Sequence, residues 1–335
     1  MNNPKTLCVA GASGLVGSNI VKAALAKGYR VNGTMRDAND EGKRPYLMAL
    51  PGADERLTLF SADSAESTSF DAALDGADAL FIACFPPIYK AKDGTPAKEL
   101  DRARGYDEIV KPVKEGCLNL LEAASRKGVK TVLLCSSTSS TNPPEPVSIK
   151  TEENAISDAE FQMSAGKFTA AEKIVMETAA RAFCDAHGMR LSIILPTMML
   201  GPVILPQHLE GDSHSLIVGL NKGKQILHKE TPAGSMSLSH IEDVAALFLA
   251  AYETPSASGR YFAVYDSWPW QDLYAEFAKH VPSSAMPAPL EGMPEEPTRF
   301  DFTRRDSLGV KMRDIPTTIA QMFEWLKTDP FQKRH

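Results

Sequence analysis

The 335-residue chain reads as an α/β protein built on a doubly wound parallel sheet, with a smaller α/β substrate lobe on its C-terminal side. Three observations predict this. Short apolar runs alternate with segments of helical periodicity through the first half, the pattern of repeated strand-helix units. Three closely spaced glycines lie between the first strand and the first helix. After Pro196 the texture changes to loops rich in proline, glycine and methionine.

Strands are expected at 6–10, 30–35, 57–61, 79–83, 131–135 and 191–195. Between them, 15–27, 46–50, 69–74, 109–127 and 170–187 carry apolar residues at spacings of three and four, as amphipathic helices do. Six such units need helices on both faces of the sheet. Beyond Pro196, the strongest signals are a helix at 241–252 and a strand at 259–265. The expected division is a dinucleotide-binding domain over 1–195, to which 240–266 returns, and a lobe over 196–335. Two long loops, 86–106 and 136–163, start at the carboxyl ends of parallel strands, where open sheets of this kind bind ligands.

Composition narrows the function. With 43% hydrophobic and 23% charged residues, the chain can bury a core. Its 36 basic residues against 42 acidic ones leave a net charge of −6, so no overall field favours nucleic acid or an anionic membrane. The longest uncharged apolar stretch, 191–206, contains Pro196, Pro202 and Pro206 and is shorter than the roughly 20 residues of a spanning helix. The N-terminal MNNPKTLCVAG carries no signal-peptide pattern. Five scattered cysteines without a CxxC pair fit reduced thiols and a cytoplasmic location, and give no metal site.

The run from Gly11 to Gly17, GASGLVG, supplies the chemistry. Gly11 permits a tight turn, Gly14 lets backbone approach a pyrophosphate, and Gly17 lets the helix pack closely on its strand. The amides of Ser13, Gly14, Leu15 and Val16 then face the anion at a helix N-terminus. This is the dinucleotide turn of a Rossmann sheet. After the second strand the chain reads TMRD, with Lys43 and Arg44 close behind, where an acidic residue would favour NAD. Arg36 with one of those cations suits a ribose 2′-phosphate and so NADP(H). The competing reading is a solvated basic loop neutralised by Asp37, Asp40 and Glu41.

These blocks, with EIVKPVKEGCLNLLEAASRKGVKTVLLCSS, LPTMMLGP and SLSHIEDVAALFLAAYE, resemble the extended short-chain dehydrogenase/reductases of the dihydroflavonol and cinnamoyl-CoA reductase type, within the NAD(P)-dependent epimerase/dehydratase superfamily. The resemblance implies an oxidoreductase. It places Asp63 and Ser64 at the adenine and matches Arg36 and Lys43 to the 2′-phosphate contacts. Ala83, Cys84 and Phe85 would line the ribose and nicotinamide side, and Pro196 and Met199 would lie by the carboxamide. Ser137 matches the catalytic serine that hydrogen-bonds the substrate oxygen. Pro86, Tyr89, Thr138 and Met163 are expected against the substrate. His240 reads as structural.

One motif of that family is missing. Its tyrosine protonates the substrate oxygen and its lysine, four residues later, lowers the tyrosine pKa and grips the nicotinamide ribose. No tyrosine here has lysine at that spacing. If Lys167 is the family lysine, Met163 stands at the tyrosine position; if Ala171 and Glu172 set the register, the pair becomes Ser164 and Phe168. Lys167 is retained as a catalytic and ribose-binding candidate. A proton could come from Ser137, Thr138, Tyr89, Tyr106, a water or the substrate. His208, His214 and His228 lack ligand spacing and read as isolated surface or pocket-wall histidines. Met189, Met198 and Met199 with Phe161 and Phe168 read as core or apolar pocket.

The leading expectation is hydride transfer to or from a carbonyl, alcohol or conjugated C=C of an apolar, aromatic or otherwise, small molecule. Two alternatives stay open: an NADP-binding sensor or scaffold without hydride transfer, and a non-redox isomerase or lyase on the same fold. A homodimer is an open option.

Overall fold

The computed structural model describes residues 4–224 and 228–331. Seven parallel strands form the central sheet: β1 (Thr6–Ala10), β2 (Arg30–Met35), β3 (Leu57–Ser61), β4 (Ala79–Ile82), β5 (Thr131–Cys135), β6 (Arg190–Pro196) and β9 (Gly259–Ala263). Their order is β3-β2-β1-β4-β5-β6-β9. Strand succession reverses between β1 and β4, which is the crevice where doubly wound sheets take ligands.

Alternation along each strand divides the core into two layers. Leu7, Val9, Phe81 and Leu133 point to the face covered by the helices Leu15–Ala26 and Ile241–Glu253. Cys8, Ala10, Leu80, Ile82, Val132 and Leu134 point to the other face, covered by Lys111–Arg126 and Phe168–Ala186. Burial on both faces is why these strands read as continuous apolar runs.

The six expected strands and the return strand all form, with ends displaced by a residue or two. The lobe holds more structure than its sequence texture suggests. A second sheet, ordered β10-β8-β7, joins β7 (Met198–Leu200), β8 (Ser235–His240) and β10 (Asp266–Pro269). Helices Asp212–Asn221, Trp270–Phe277 and Ile315–Lys327 pack on it through Leu216, Ile217, Leu273, Phe277, Ile319 and Phe323. These elements are short and punctuated by proline, so local periodicity does not announce them.

Candidate active site at the carboxyl ends of the strands

The glycine turn is built as its spacing requires. Gly11 has φ +85°, and a Cβ there would lie 2.7 Å from Cys84 Cα and 2.8 Å from the Ala83 carbonyl oxygen. A Cβ on Gly17 would lie 2.0 Å from the Gly11 carbonyl oxygen, so only glycine lets the helix sit this close. Gly14 is the N-cap of Leu15–Ala26; no side chain caps it and no acidic residue occupies the first turn. The first amides of the helix are therefore open to an anionic ligand. This cradle fits a dinucleotide pyrophosphate.

A residue the sequence reading missed buttresses the turn from the lobe. His208 is buried and its Nε2 donates to the Ser13 carbonyl oxygen at 3.0 Å. His214 is buried as well, with Nε2 bonded to the Gly201 carbonyl oxygen at 3.2 Å. Neither is the surface or pocket-wall histidine expected. Desolvation lowers both pKa values, that of His214 to about 4, so both are neutral props. His240 caps the Ile241–Glu253 helix and is bonded to Arg313, the structural part expected of it.

At the adenosine end, Arg36 follows β2, is exposed, and takes part in no ion pair among the described residues. Lys43, in contrast, is bonded to Asp40 at 2.6 Å, which holds the Asp40 carboxyl below its usual range. Neutralisation of this loop is thus partial, and Arg36 retains its charge for a ligand. Asp63 and Ser64 follow β3. The Asp63 carboxylate accepts the Ala65 amide at 2.9 Å, and Asn119 Nδ2 donates to the Ser64 carbonyl oxygen at 2.8 Å.

Ala83 and Cys84 continue β4 directly against the glycine turn, while the Phe85 ring packs against Gly116. Pro196 ends β6 and Met199 lies in β7. Ser137 follows β5 in extended backbone. Its Oγ accepts the Ser139 amide at 3.1 Å, which leaves its hydroxyl proton for another partner. Behind it a buried network fixes the strand end. Ser136 Oγ donates to Glu177, which pairs with Arg260 at 3.0 Å; Arg260 also donates to the carbonyl oxygens of Ser140, Glu152 and Ala155. None of these partners is local in sequence.

A cavity of about 520 Å³ opens beside Ser137. Three segments wall it: Pro87, Tyr89, Pro96, Ala97 and Lys98; Ser137 and Ser139; Gly166, Lys167, Thr169 and Ala170. Its size suits a small molecule, and Pro87, Pro96, Ala97, Ala170 and the Tyr89 ring give its wall an apolar part beside the serine and lysine side chains. Ser137, Tyr89 and Lys167 come together here. Pro87 and Ser139 line the wall rather than their neighbours Pro86 and Thr138. Met163 is buried beside Phe168 and does not reach the wall. Tyr106 packs against that same apolar cluster.

The missing tyrosine has a structural counterpart. The segment is broken into a helix Ala159–Ser164, capped by Asp158, then Gly166 at φ +68°, then Phe168–Ala186 with Lys167 as N-cap. Phe168 fills the space left by Gly105, where a Cβ would lie 2.3 Å from its ring. No continuous helix carries residues 163 or 164 toward the strand ends.

Other nucleophiles and ligands drop out. Burial pushes the thiols of Cys84 and Cys135 up to about 12, so neither is a thiolate. Among the described residues no group of His, Cys, Asp and Glu could hold a metal ion, and no helix is long and apolar enough to cross a membrane.

Comparison with known proteins agrees with the geometry. The model of the NAD dependent epimerase/dehydratase family matches residues 7–264. Tetraketide alpha-pyrone reductase 1 of Arabidopsis thaliana is 31% identical over 321 residues, covering 95% of this chain and 93% of that protein. Dihydroflavonol 4-reductase of Zea mays is 30% identical over 328 residues, covering 95% and 86%. The structure of the yeast methylglyoxal/isovaleraldehyde reductase Gre2 complexed with NADPH superposes with a TM-score of 0.77 at 18% identity, covering 97% of this chain and 99% of that one.

Proposed function

Because this chain belongs to the NAD-dependent epimerase/dehydratase family, we propose that it is an NADP(H)-dependent oxidoreductase acting on a carbonyl, alcohol or conjugated C=C of a small apolar molecule. One observation carries the reading: an uncapped, glycine-cradled helix N-terminus after β1, Arg36 after β2 and Ser137 with its cavity after β5 all follow the carboxyl ends of the parallel strands. Relatives named as reductases support it.

When bound, NADPH supplies a hydride from nicotinamide C4. The amides of Ser13 to Val16 would hold its pyrophosphate and Arg36 its 2′-phosphate, with Lys43 joining only by exchanging Asp40. Asp63 and Ser64 would border the adenine. Ala83, Cys84, Phe85, Pro196 and Met199 would shape the nicotinamide side. Ser137 would donate to the substrate oxygen and so stabilise the charge that develops there. Pro87, Tyr89, Pro96 and Ala97 would exclude water from an apolar or aromatic substrate. The proton comes from a group outside the usual motif.

The test is calorimetric titration with NADPH, followed by NADPH oxidation across a panel of aliphatic and aromatic aldehydes, ketones and enones. Micromolar binding and turnover of at least one apolar carbonyl are expected, and Ser137→Ala should lower kcat at least tenfold at unchanged NADPH affinity. No binding would overturn the reading. Tight binding without oxidation on any substrate would favour the sensor reading.

A further inference from the structure

We propose that Tyr89 is the proton donor, and that the helix which lost the tyrosine holds Tyr89 in place through Thr169, Glu172 and Lys173. The proposal rests on the reductase reading above and names its missing acid.

The three helix residues lie at i, i+3 and i+4, on one face. Thr169 Oγ1 donates to the Ile88 carbonyl oxygen at 3.0 Å, and Lys173 Nζ donates to the Phe85 carbonyl oxygen at 2.7 Å. Glu172 pairs with Lys173 at 3.1 Å, and neither of its buried carboxylate oxygens has another hydrogen-bond partner among the described residues. Glu172 is 0% exposed and Lys173 2%. Burying a carboxylate and an ammonium costs desolvation that a mutual contact only partly offsets, so such a pair is a poor device for stability alone. Lys173 and Thr169 together hold the Phe85 and Ile88 carbonyl oxygens of one short segment. That segment leads straight to Tyr89.

Tyr89 is fixed from its far side too. Its carbonyl oxygen accepts the Ala97 amide at 2.8 Å, and Pro86, Pro87 and Pro96 restrict the chain on either hand. Tyr89 is 55% exposed and stands on the wall of the cavity that holds Ser137 and Lys167. Thr169, on the helix side of that wall, donates its hydroxyl proton to the Ile88 carbonyl oxygen, one residue before Tyr89. The result is a serine, a tyrosine and a lysine brought to one cavity from three separate segments.

In the reducing direction, the carbonyl carbon accepts hydride from the reduced nicotinamide while the C=O π pair moves to oxygen. That oxygen takes the proton of Tyr89, the O–H bond of the phenol breaking as the new one forms, and NADPH leaves as NADP⁺. Solvent returns a proton to the exposed phenolate. The Lys167 ammonium, on the wall of the same cavity, would favour the phenolate that the transfer leaves. Thr169, Glu172 and Lys173 are positioning residues.

The experiment compares wild type with Tyr89→Phe, Lys167→Met, Lys173→Met and Lys173→Arg, on the substrate found active above. Tyr89→Phe should lower kcat about 10²- to 10⁴-fold with NADPH affinity by fluorescence unchanged. Ultraviolet titration of the NADPH complex gives a readout independent of turnover: one phenol should ionise below the ordinary pKa of about 10. That signal should vanish in Tyr89→Phe and move upward in Lys167→Met. Lys173→Met should lower kcat with little change in KM, and Lys173→Arg should restore part of it. A Tyr89→Phe enzyme with kcat within twofold of wild type would overturn this assignment and leave the reductase reading intact. A wild type that never oxidises NADPH would overturn both.

Discussion

Arg260 Nε lies 3.0 Å from Glu177 Oε2, with both side chains almost wholly buried between β9 and the Phe168–Ala186 helix. The guanidinium also holds three carbonyl oxygens of the loop that follows Ser137. Breaking such a pair strands a buried charge. Arg260→Met should therefore cost about 3–5 kcal/mol in urea unfolding. The double variant Arg260→Met with Glu177→Met should recover part of that loss; an Arg260→Met protein as stable as wild type would contradict the network.

Glycine at position 17 is required by space rather than flexibility. Gly→Ala inside a helix ordinarily stabilises by about 1 kcal/mol. Here the added Cβ would meet the Gly11 carbonyl oxygen at 2.0 Å, which forces the turn apart. Gly17→Ala should reverse the sign, destabilising by about 1–3 kcal/mol in thermal unfolding, and weaken NADPH binding at least tenfold.

The proposed 2′-phosphate contact of Arg36 predicts a cofactor preference. A hydrogen bond to a charged group contributes about 1.5–3 kcal/mol, or about 10- to 150-fold in affinity. Arg36→Ala should weaken NADPH by that factor and NADH by less than twofold in parallel calorimetric titrations. Equal losses would remove Arg36 from the 2′-phosphate.

Glu172 makes stability depend on pH. Burial raises its carboxyl from 4.5 to about 7, so the folded state holds the proton more tightly than the unfolded state. Its contribution is full below pH 4.5 and is lost as pH rises through 7. The change amounts to roughly 3 kcal/mol. Urea unfolding of wild type and Glu172→Gln between pH 4.5 and 7.5 should show wild type losing that much relative to the variant. Parallel curves would contradict the shift.

Part of the site is legible in the sequence. The turn from Gly11 to Gly17 announces itself because its constraints lie within seven residues, between a strand and a helix that each have their own period. Arg36 stands directly after β2 in the sequence, and the structure leaves it exposed and outside any ion pair among the described residues. The trio of Thr169, Glu172 and Lys173 shows in the sequence only as polar residues at i, i+3 and i+4; that they grip residues 85–88 depends on packing between distant segments. His208 gave no signal, because the Ser13 carbonyl it props lies 195 residues away.

Sequence alone determined the strand-helix succession, the glycine cradle and the absence of the usual tyrosine-lysine pair. These depend on the two- and 3.6-residue periods and on short spacings, which are properties of the local chain. Tertiary structure decided how the gap is filled. It breaks the helix at Gly166, seats Phe168 against Gly105, and gathers Tyr89, Ser137 and Lys167 around one cavity. Their meeting depends on packing among segments tens of residues apart, and no periodicity records it.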